Sequence, residues 1–574
     1  MRRSVILVVS MVLVLIVTGF VINNVATKIW SSWVNYVPPV DIRTRLQSDY
    51  NYPKIADYVV IILVDGARPD VVNDIGYGGF IFVKHNGVLF SNAYALLPTY
   101  SVPARAAIST GLPHEISGVS SNWYSKGVLN VPNMFSLAKR FSLKTAAVGD
   151  NSIKMLFGNY LDTFVQIPEI PGQMYNATKE AIKIINDAQP PNLLWIGFSD
   201  IDEVGHEYGA LSDQYKEAVK GSSKAIMDII NALSMRGILE RTLLIILSDH
   251  GHLNTGGHGG GEIEVRRIYL SMMGPGVKKS IIINRTVYYT SIASTVTFAL
   301  GLPPELVSYE LPLFDGFDES IRKDLNTYMI DLTINFAYHL EDLFEKVKLN
   351  NYVQNVTRII DELKKLRSTS SDNVMLILDY HNKLASIYEN GKSDLLSRDF
   401  VFRIGGSFLI GLIAWLPTII VLYLSKRMFW KIIITGLIGV AVFWTSFIYV
   451  FKFLPTMSSV NSLDFYITSI MWSTLLSIIM SSLVMIIVFN VKYKKHAILF
   501  LSPLFVIMTI SSIPILIMSS IYGFTVKFPF PDWSVAYLYY TALLNEMFLA
   551  LFSGLMPIII FTGLTFKSKI TKQI

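Results

Sequence analysis

Apolar runs and mixed apolar–polar segments alternate along the chain and divide it into four parts. The first is a nearly unbroken apolar run from Val5 to Ile22, which follows Arg2 and Arg3. Its length is close to the about 20 residues that cross a bilayer as a helix. A cleaved signal peptide has a shorter apolar region and a small-residue cleavage site, so the pattern favours a transmembrane anchor over residues 1–27.

Five further apolar runs occupy the C-terminal third and predict a five-helix transmembrane domain over residues 403–574. Lys and Arg gather in the first and third links between these runs and in the tail after the last one. With the N-terminus inside, all of these basic segments fall on the cytoplasmic side, as the positive-inside rule requires. The sequence therefore predicts six spans, cytoplasmic termini and an extracytoplasmic segment between the anchor and the bundle. The five runs cover residues 404–424, 432–452, 465–491, 497–522 and 535–565.

The segment between the anchor and the bundle has two different patterns. From Tyr58 to Leu302, continuous apolar runs alternate with helical patterns, which is typical of an α/β fold with a mostly parallel sheet flanked by helices. This predicts a catalytic domain over residues 28–320. Residues 321–402 have helical spacing of apolar positions, such as Ile330 and Ile334, and predict a helical stalk that leads to the bundle.

The composition agrees with this division and narrows the function. Hydrophobic residues make up 52% of the 574 residues and charged residues 16%, whereas a soluble protein has about a quarter charged residues. The net charge is +6, but the cations do not gather on one face, so we expect no nucleic-acid partner. The absence of cysteine excludes disulfides, thiolate ligands and cysteine nucleophiles. Glu546 is an ionisable residue inside the last predicted span, where such residues often mark function; a pair with a neighbouring helix is the simpler explanation.

Acidic and histidine side chains follow three of the predicted buried strands. Asp65 follows the first, Asp202 and His206 the second, and Asp249 and His250 the third. Ligands of open α/β sheets bind beyond the carboxyl ends of strands, so we expect these side chains to meet. A glycine-rich loop after the third strand presents one more candidate, His258.

Neighbouring residues offer alternatives within the same segments. Asp202 and His206 are four residues apart and share a face of a helical turn, but Asp200 and Glu203 belong to the same acidic cluster. His252 lies close to the third strand end, and we expect it behind a ligand or in solvent rather than on the metal. Carboxylate and imidazole ligands together suit Zn²⁺ or Mn²⁺.

Ser101 precedes an apparent helix, with Pro103 suited to its first turn. Free amides at a helix N-terminus stabilise negative charge, and a serine there is a candidate nucleophile when a base or a metal lowers its pKa. A simple helix-capping role is the alternative. The carboxylates and imidazoles suffice for two metal ions, and ions about 4 Å apart are the usual arrangement for in-line displacement at phosphorus.

Four ordered motifs resemble the alkaline phosphatase superfamily, and within it the type I phosphodiesterase/nucleotide pyrophosphatase group and the GPI ethanolamine phosphate transferases. The resemblance covers roughly residues 58–302, and the order of anchor, external domain and C-terminal bundle is that of these transferases. The bundle has fewer spans than in the eukaryotic transferases, so their lipid substrate is not carried over. The matching segments are Val64–Asp70, Pro98–Ser101 with Thr110–Gly111, Asp202–His206, and Ser248–Gly251 with Gly257–Gly259.

The resemblance implies a membrane-bound phosphoester hydrolase or phosphoethanolamine-type transferase with two divalent ions, Zn²⁺ or Mn²⁺. The five-span bundle favours a phosphoester substrate or acceptor at the membrane surface, linked to a lipid or a glycan. The resemblance also implies that Ser101 is the nucleophile and that Asn122 contacts a phosphoryl oxygen. The oligomeric state stays open. One ion would be held by Asp65, Ser101, Asp249 and His250, and the other by Asp202, His206 and His258.

Two other functions fit parts of the sequence. Ser101 to Arg105 also matches the sulfatase signature, in which position 101 becomes formylglycine and Arg105 supports that group and the substrate. A sulfatase, however, holds one calcium ion, and the second ligand set here favours phosphoester chemistry. A non-catalytic membrane scaffold or receptor on a degenerate fold is the other alternative, which the intact ligand set disfavours.

Overall fold

The protein folds as two compact units in this computed structural model. One unit is Tyr36–Asp394, and the other combines Met1–Asn35 with Leu395–Ile574. The structure describes residues 2–46, 48, 50–369, 374–460, 462–489, 497–530 and 536–570.

The described strands all lie in the unit Tyr36–Asp394. They are β1 (Tyr58–Val64), β2 (Val88–Phe90), β3 (Ala93–Tyr94), β4 (Thr145–Gly149), β5 (Thr163–Gln166), β6 (Leu193–Phe198), β7 (Thr242–Leu247), β8 (Arg267–Ile268), β9 (Leu270–Met273), β10 (Ile281–Ile283) and β11 (Val287–Tyr288).

The α-helices run through both units. They are α1 (Arg2–Val34), α2 (Pro69–Asn73), α3 (Gly79–Asn86), α4 (Ser101–Thr110), α5 (His114–Ser117), α6 (Met134–Arg140), α7 (Asn151–Phe157), α8 (Met174–Ile185), α9 (Asp200–Tyr208), α10 (Asp213–Met235), α11 (Ile263–Arg266), α12 (Ser291–Ala299), α13 (Arg322–Lys346), α14 (Asn350–Ser368), α15 (Val374–Arg398), α16 (Phe400–Leu424), α17 (Phe429–Thr445), α18 (Leu463–Ile487), α19 (Ala497–Ser511), α20 (Ile513–Tyr522) and α21 (Ala536–Ile570).

The main sheet is mixed but mostly parallel, with the strand order β10-β2-β9-β7-β1-β6-β4-β5. Strand β1 pairs in parallel with both β6 and β7, and β9 is antiparallel to β7 and β2. The six residues Val59–Val64 of β1 are all buried, because helices cover both faces of this part of the sheet. Because β1 is parallel to both neighbours, the carboxyl ends of β6, β1 and β7 lie side by side. The predicted fold class is confirmed.

Helices α13, α14 and most of α15 belong to the same compact unit as the sheet. The predicted apolar face of α13 is buried, with Ile330 and Ile334 at most 2% exposed. The structure thus keeps the predicted helices of 321–402 but divides the chain at 35/36 and 394/395, whereas the sequence pattern placed the boundaries at 27/28, 320/321 and 402/403. Helix α1 continues to Val34, beyond the predicted end of the anchor.

A buried carboxylate holds these helices and the chain before β1 together. Asp331 of α13 is fully buried and accepts hydrogen bonds from Ser48 Oγ at 2.7 Å and from Tyr52 Oη at 2.6 Å. Arg367 of α14 donates to both of its oxygens. A buried charge without such partners would be costly, so this network specifies how α13, α14 and residues 48–52 pack.

The second unit contains apolar helices that are long enough to cross a membrane. Among the described residues these are Val9–Val34, Lys426–Val450, Leu463–Ile487 and Leu501–Tyr522, and the pair Phe400–Leu412 and Ala414–Leu424, bent by 43°, would be a fifth span. The sixth predicted run, 535–565, lies within α21, and position 535 itself is outside the described residues. The described helices therefore support four to five spans, and six remains a prediction.

Replacing Asp331 by alanine should lower the stability of the unit Tyr36–Asp394 by about 3 kcal/mol, because removal of one partner leaves a buried network incomplete. The thermal unfolding midpoint of the full-length protein in detergent measures this effect. The matched control is Glu319→Ala, which breaks the exposed Glu319–Arg322 pair and should change stability by less than about 0.5 kcal/mol. Equal shifts for both variants would contradict a stabilising role of the Asp331 network.

Candidate metal centre

The candidate ligands meet beyond the carboxyl ends of three neighbouring strands. Asp65 follows β1 directly, α9 after β6 carries Asp202 and His206, and the loop after β7 carries Asp249 and His250. The glycine-rich part of that loop then brings His258 to the same place, where its ring stacks on His250 with centroids 3.7 Å apart. All of these side chains are buried except His206, which is half-buried.

One group of ligand atoms surrounds His250. Its Nε2 lies 3.2 Å from Asp65 Oδ1, 3.8 Å from Asp249 Oδ2 and 3.3 Å from Ser101 Oγ. Asp65, Asp249 and His250 each offer one ligand atom within 4.8 Å of the others. Asp65 Oδ1 and Asp249 Oδ2 are buried and accept no hydrogen bond from any of the described residues. Orphaned carboxylate oxygens are costly in a protein interior, and a bound cation would satisfy both.

A second group surrounds Asp202. Its Oδ2 lies 3.6 Å from His206 Nε2 and its Oδ1 lies 3.5 Å from His258 Nε2. The two Nε2 atoms are 3.1 Å apart. His250 Nε2 is 4.0 Å from Asp202 Oδ1, so the two groups are neighbours. The donor set, carboxylate with imidazole, is that of zinc and manganese sites, and the residues therefore fit two divalent ions.

Hydrogen bonds to the backbone orient two of the imidazoles. His258 Nδ1 donates to the carbonyl oxygen of Thr99 at 2.8 Å, and His250 Nδ1 to that of Gly251 at 3.1 Å. Because Nδ1 carries the proton, the lone pair of each Nε2 points into the cluster. Metal-binding histidines are commonly held in this way.

His252 has the opposite tautomer. Its Nδ1 accepts a hydrogen bond from the Gly257 amide at 3.0 Å, so its Nε2 carries the proton and donates to Asp202 Oδ1 at 2.7 Å. The ring fits closely against Gly66, where φ is +72° and an added Cβ would lie 2.9 Å from His252 Nε2. The structure thus places His252 behind Asp202, where it orients that carboxylate.

The three carboxylates of the site have different electrostatic environments. Burial, followed by the nearby charge of Asp202, raises the pKa of Asp65 well above its usual value. Burial and the charge of Asp65 raise the pKa of Asp249 to about 7. Burial also acts to raise the pKa of Asp202, but its three histidine neighbours together hold that pKa well below its usual value. A cation that binds Asp65 and Asp249 therefore competes with protons for these carboxylates.

Arg105, which the sequence predicted to contact substrate, is buried beneath the cluster instead. Its guanidinium is 2.7 Å from Asp65 Oδ2 and 2.9 Å from Asp150 Oδ2, and it donates to Ser152 Oγ at 3.0 Å. It therefore orients Asp65 from behind, and its contact with substrate stays a prediction. Asp150 was missed by the sequence reading, although it follows β4, which neighbours β6, and so lies at another strand end.

Ser101 is the first residue of α4, and the N-cap position belongs to Tyr100. The capping alternative for Ser101 is therefore not what the structure shows. The exposed Asn122 accepts a hydrogen bond from the Val102 amide at 3.0 Å through Oδ1, which holds it beside Ser101. Asp200 accepts hydrogen bonds from the amides of residues 172 and 174, which leaves Asp202 as the carboxylate of this segment that faces the histidines.

Comparison with known proteins confirms the resemblance inferred from the motifs. Residues 159–268 match the family "Type I phosphodiesterase / nucleotide pyrophosphatase". The chain is 26% identical over 242 residues to GPI ethanolamine phosphate transferase 3 of Schizosaccharomyces pombe, a match that covers 39% of this chain and 26% of that protein. It is 24% identical over 327 residues to the catalytic subunit of human GPI ethanolamine phosphate transferase 2, covering 52% of this chain and 33% of that protein.

The chain thus spans about a quarter to a third of the length of these two relatives. Among solved structures, it is similar to murine ectonucleotide pyrophosphatase/phosphodiesterase 5, with a TM-score of 0.41 and 13% identity over 46% of this chain and 100% of that one. This likeness is too low to support an inference about fold or function.

The purified protein should contain two divalent ions per chain, because candidate ligand atoms surround both His250 and Asp202, and these two groups are neighbours. His206→Ala and Asp65→Asn should each reduce the content by about one ion, since each removes a ligand from one group only. Elemental analysis of the full-length protein measures this, with His85→Ala, an exposed histidine outside the cluster, as the matched control. An unchanged content in both ligand variants would reject these assignments.

Uptake of Zn²⁺ by the metal-free protein should release protons below about pH 7 and release fewer as the pH rises above it. The reason is that the raised pKa values keep Asp65 and Asp249 protonated, and a metal ion must displace those protons. Calorimetric titration in two buffers with different ionisation enthalpies measures the number released. A binding heat that is independent of the buffer at about pH 6 would contradict this expectation.

Proposed function

We propose that this protein is a membrane-bound, two-metal phosphoester hydrolase or phosphoethanolamine-type transferase that uses Ser101 as its nucleophile. The observation that carries this proposal is the position of Ser101 Oγ, 3.3 Å from His250 Nε2 and next to two orphaned carboxylate oxygens. The similarity to phosphodiesterases and to GPI ethanolamine phosphate transferases supports the reaction class.

The residues around Ser101 have separable roles in this proposal. The hydroxyl of Ser101 loses its proton to solvent, its oxygen forms a bond to phosphorus, and the bond from phosphorus to the leaving oxygen breaks. The leaving group takes up a proton from solvent and departs as an alcohol. Asn122 is tethered through Oδ1 to the first turn of α4, so its Nδ2 can donate to a phosphoryl oxygen. Bound divalent ions, Zn²⁺ or Mn²⁺, would supply positive charge against the phosphoryl oxygens and lower the pKa of the nucleophile.

The proposal also assigns a role to two residues that hold the candidate metal ligands in position. Arg105 and His252 orient Asp65 and Asp202, and neither side chain needs to contact substrate. Second-layer partners of this kind commonly change metal affinity or activity by 10- to 100-fold, roughly, when they are removed.

The same phosphoserine step serves a hydrolase and a transferase. In a hydrolase, water attacks the phosphorylated Ser101, and in a transferase a hydroxyl group of an acceptor does. We further propose the six-span arrangement with cytoplasmic termini, which puts the site on the external side. A substrate or acceptor linked to a lipid or a glycan fits this location.

Ser101→Ala should lower the rate of phosphodiester cleavage by about three orders of magnitude or more, because no other hydroxyl lies at the same position. The measurement is turnover of a model phosphodiester by the metal-loaded, full-length protein. Ser109→Ala is the matched control, since Ser109 lies on the same helix and is buried away from the site without a hydrogen-bond partner. Equal activity of the two variants would reject Ser101 as the nucleophile.

The sulfatase and scaffold alternatives are decided on the same sample. A sulfatase would cleave a sulfate ester, contain one calcium ion and show formylglycine at position 101, which lacks two hydrogen atoms of serine in a peptide mass spectrum. A scaffold would show neither bound metal nor turnover. Adding an acceptor alcohol distinguishes a transferase from a hydrolase by the ratio of the two products. A transferase forms mainly the acceptor phosphodiester, whereas a hydrolase forms mainly the product of attack by water.

A further inference from the structure

A solitary carboxyl group lies inside the membrane unit. Glu546 of α21 is fully buried, and neither of its side-chain oxygens has a hydrogen-bond partner among the described residues. It lies ten residues after Ala536, the first described residue of the predicted span 535–565, which corresponds to about 15 Å along the helix. That is half of the about 30 Å thickness of a bilayer core, so the carboxyl group is far from either aqueous phase.

Helix α1 packs against α21 in the antiparallel direction at this level. Gly19 faces Ala550 so closely that an added Cβ would lie 2.6 Å from the Ala550 Cβ. Further along, Tyr539 donates a hydrogen bond to the carbonyl oxygen of Ala26, and the ring of Trp30 stacks on Tyr540 with centroids 4.8 Å apart.

The contacts between α1 and α21 place Asn23 of α1 at the same level along the helix axes as Glu546. Asn23 is four residues after Gly19, and Glu546 is four residues before Ala550, so both lie one helical turn from the same close contact. Asn23 Nδ2 is also buried without a hydrogen-bond partner. Two unsatisfied polar groups therefore occupy the same level of two packed helices.

No basic residue lies close to the level of Glu546 in the described helices that pack against it. The sequence has no Lys, Arg or His between Ser4 and Thr27, in α18, in α19 and α20, or in α21 from Ala536 to Phe566. The basic residue of α1 nearest to this level, Lys28, is exposed and lies five residues beyond Asn23. The titratable groups on these elements are Arg2, Arg3 and Lys28 of α1, Lys567 and Lys569 of α21, Asp464 at the start of α18, and several tyrosines, among them Tyr466, Tyr537, Tyr539 and Tyr540. An ionised carboxylate would thus be buried without compensation.

A metal ion does not fit this position as well as a proton does. Hard cations such as Ca²⁺ and Mg²⁺ take about six or more oxygen ligands. The neighbouring Asn545 already accepts a hydrogen bond from Thr474 and donates one to Ser511, and Asn23 Oδ1 accepts one from Thr27.

We propose that Glu546 is an intramembrane proton-binding site, which holds one proton at neutral pH, and that proton binding makes the neutral acid and the Asn23 amide, unsatisfied at the same level, each other's hydrogen-bond partners. The acid O–H donates to Asn23 Oδ1, and Asn23 Nδ2 donates to the carbonyl oxygen of the acid. Each group thereby satisfies the other, and the bound proton links α1 to α21. The site is independent of the catalytic chemistry, so its test does not require an active enzyme.

Infrared difference spectroscopy tests this site in the full-length protein in lipid nanodiscs. The wild-type protein at neutral pH should show a carbonyl band of a protonated carboxylic acid that is lost in Glu546→Gln, a variant that keeps the shape and the hydrogen-bonding capacity of the neutral acid. The control is Asp464→Asn, because Asp464 is exposed and should contribute no such band. A wild-type spectrum without a band that depends on Glu546 would overturn the proposal.

Two further measurements keep the test decisive if Glu546→Gln folds poorly. A hydrophobic carbodiimide, which reacts with protonated carboxyl groups in apolar surroundings, should form an adduct on the peptide that contains Glu546 in the wild-type protein, and the adduct should diminish at alkaline pH. Addition of sodium chloride should leave both the band and the adduct unchanged. Loss of both on addition of sodium would overturn the proposal in favour of a metal cation.

Discussion

The unit Tyr36–Asp394 depends on one electrostatic constraint, which is that three carboxylates are buried together. Asp65, Asp202 and Asp249 converge because β6, β1 and β7 are adjacent parallel strands and each strand end leads to an aspartate. Three like charges in a protein interior repel each other unless cations or protons compensate them. Asp202 is compensated by imidazoles, whereas the raised pKa values of Asp65 and Asp249 show that their compensation is incomplete. The cluster is therefore built to take up further positive charge.

The surrounding residues follow from this constraint. Arg105 is buried because it must balance Asp65 and Asp150 from behind, and in that position it fixes the carboxylate while leaving Asp65 Oδ1 free to face the cluster. His252 does the same for Asp202, and the glycine at position 66 makes room for its ring. These contacts determine where the ligand oxygens point, which matters more for a two-metal site than how many carboxylates are present.

The sequence was sufficient to predict those parts of the structure that depend on local pattern. The apolar runs that became β1, β6 and β7 are long, rich in β-branched and leucine residues, and end at Asp65, Ser199 and Ser248. The rule that sites lie beyond strand ends then placed the ligands correctly near one another. The contacts of Arg105 could not be predicted in this way, because its partners come from β1 and from the end of β4, and no spacing in the chain reveals that these ends converge on α4.

The predicted domain boundary at 320/321, just before α13, shows the same limit of inference from sequence patterns. The pattern of α13 correctly predicts a helix with one buried face, but an apolar face does not tell which element covers it. Asp331 decides this, through hydrogen bonds to Ser48 and Tyr52 and a pair with Arg367, and such a network exists only after folding. Asp331 and Glu546 are both fully buried acids on helices, yet their surroundings differ. Asp331 is paired with an arginine and two hydroxyl groups, whereas Glu546 has no such partners in an apolar bundle, and there a bound proton removes the cost of burying a charge. A buried acidic residue in this chain is thus a structural tie, a metal ligand or a proton site according to its partners, and sequence position alone does not distinguish the three.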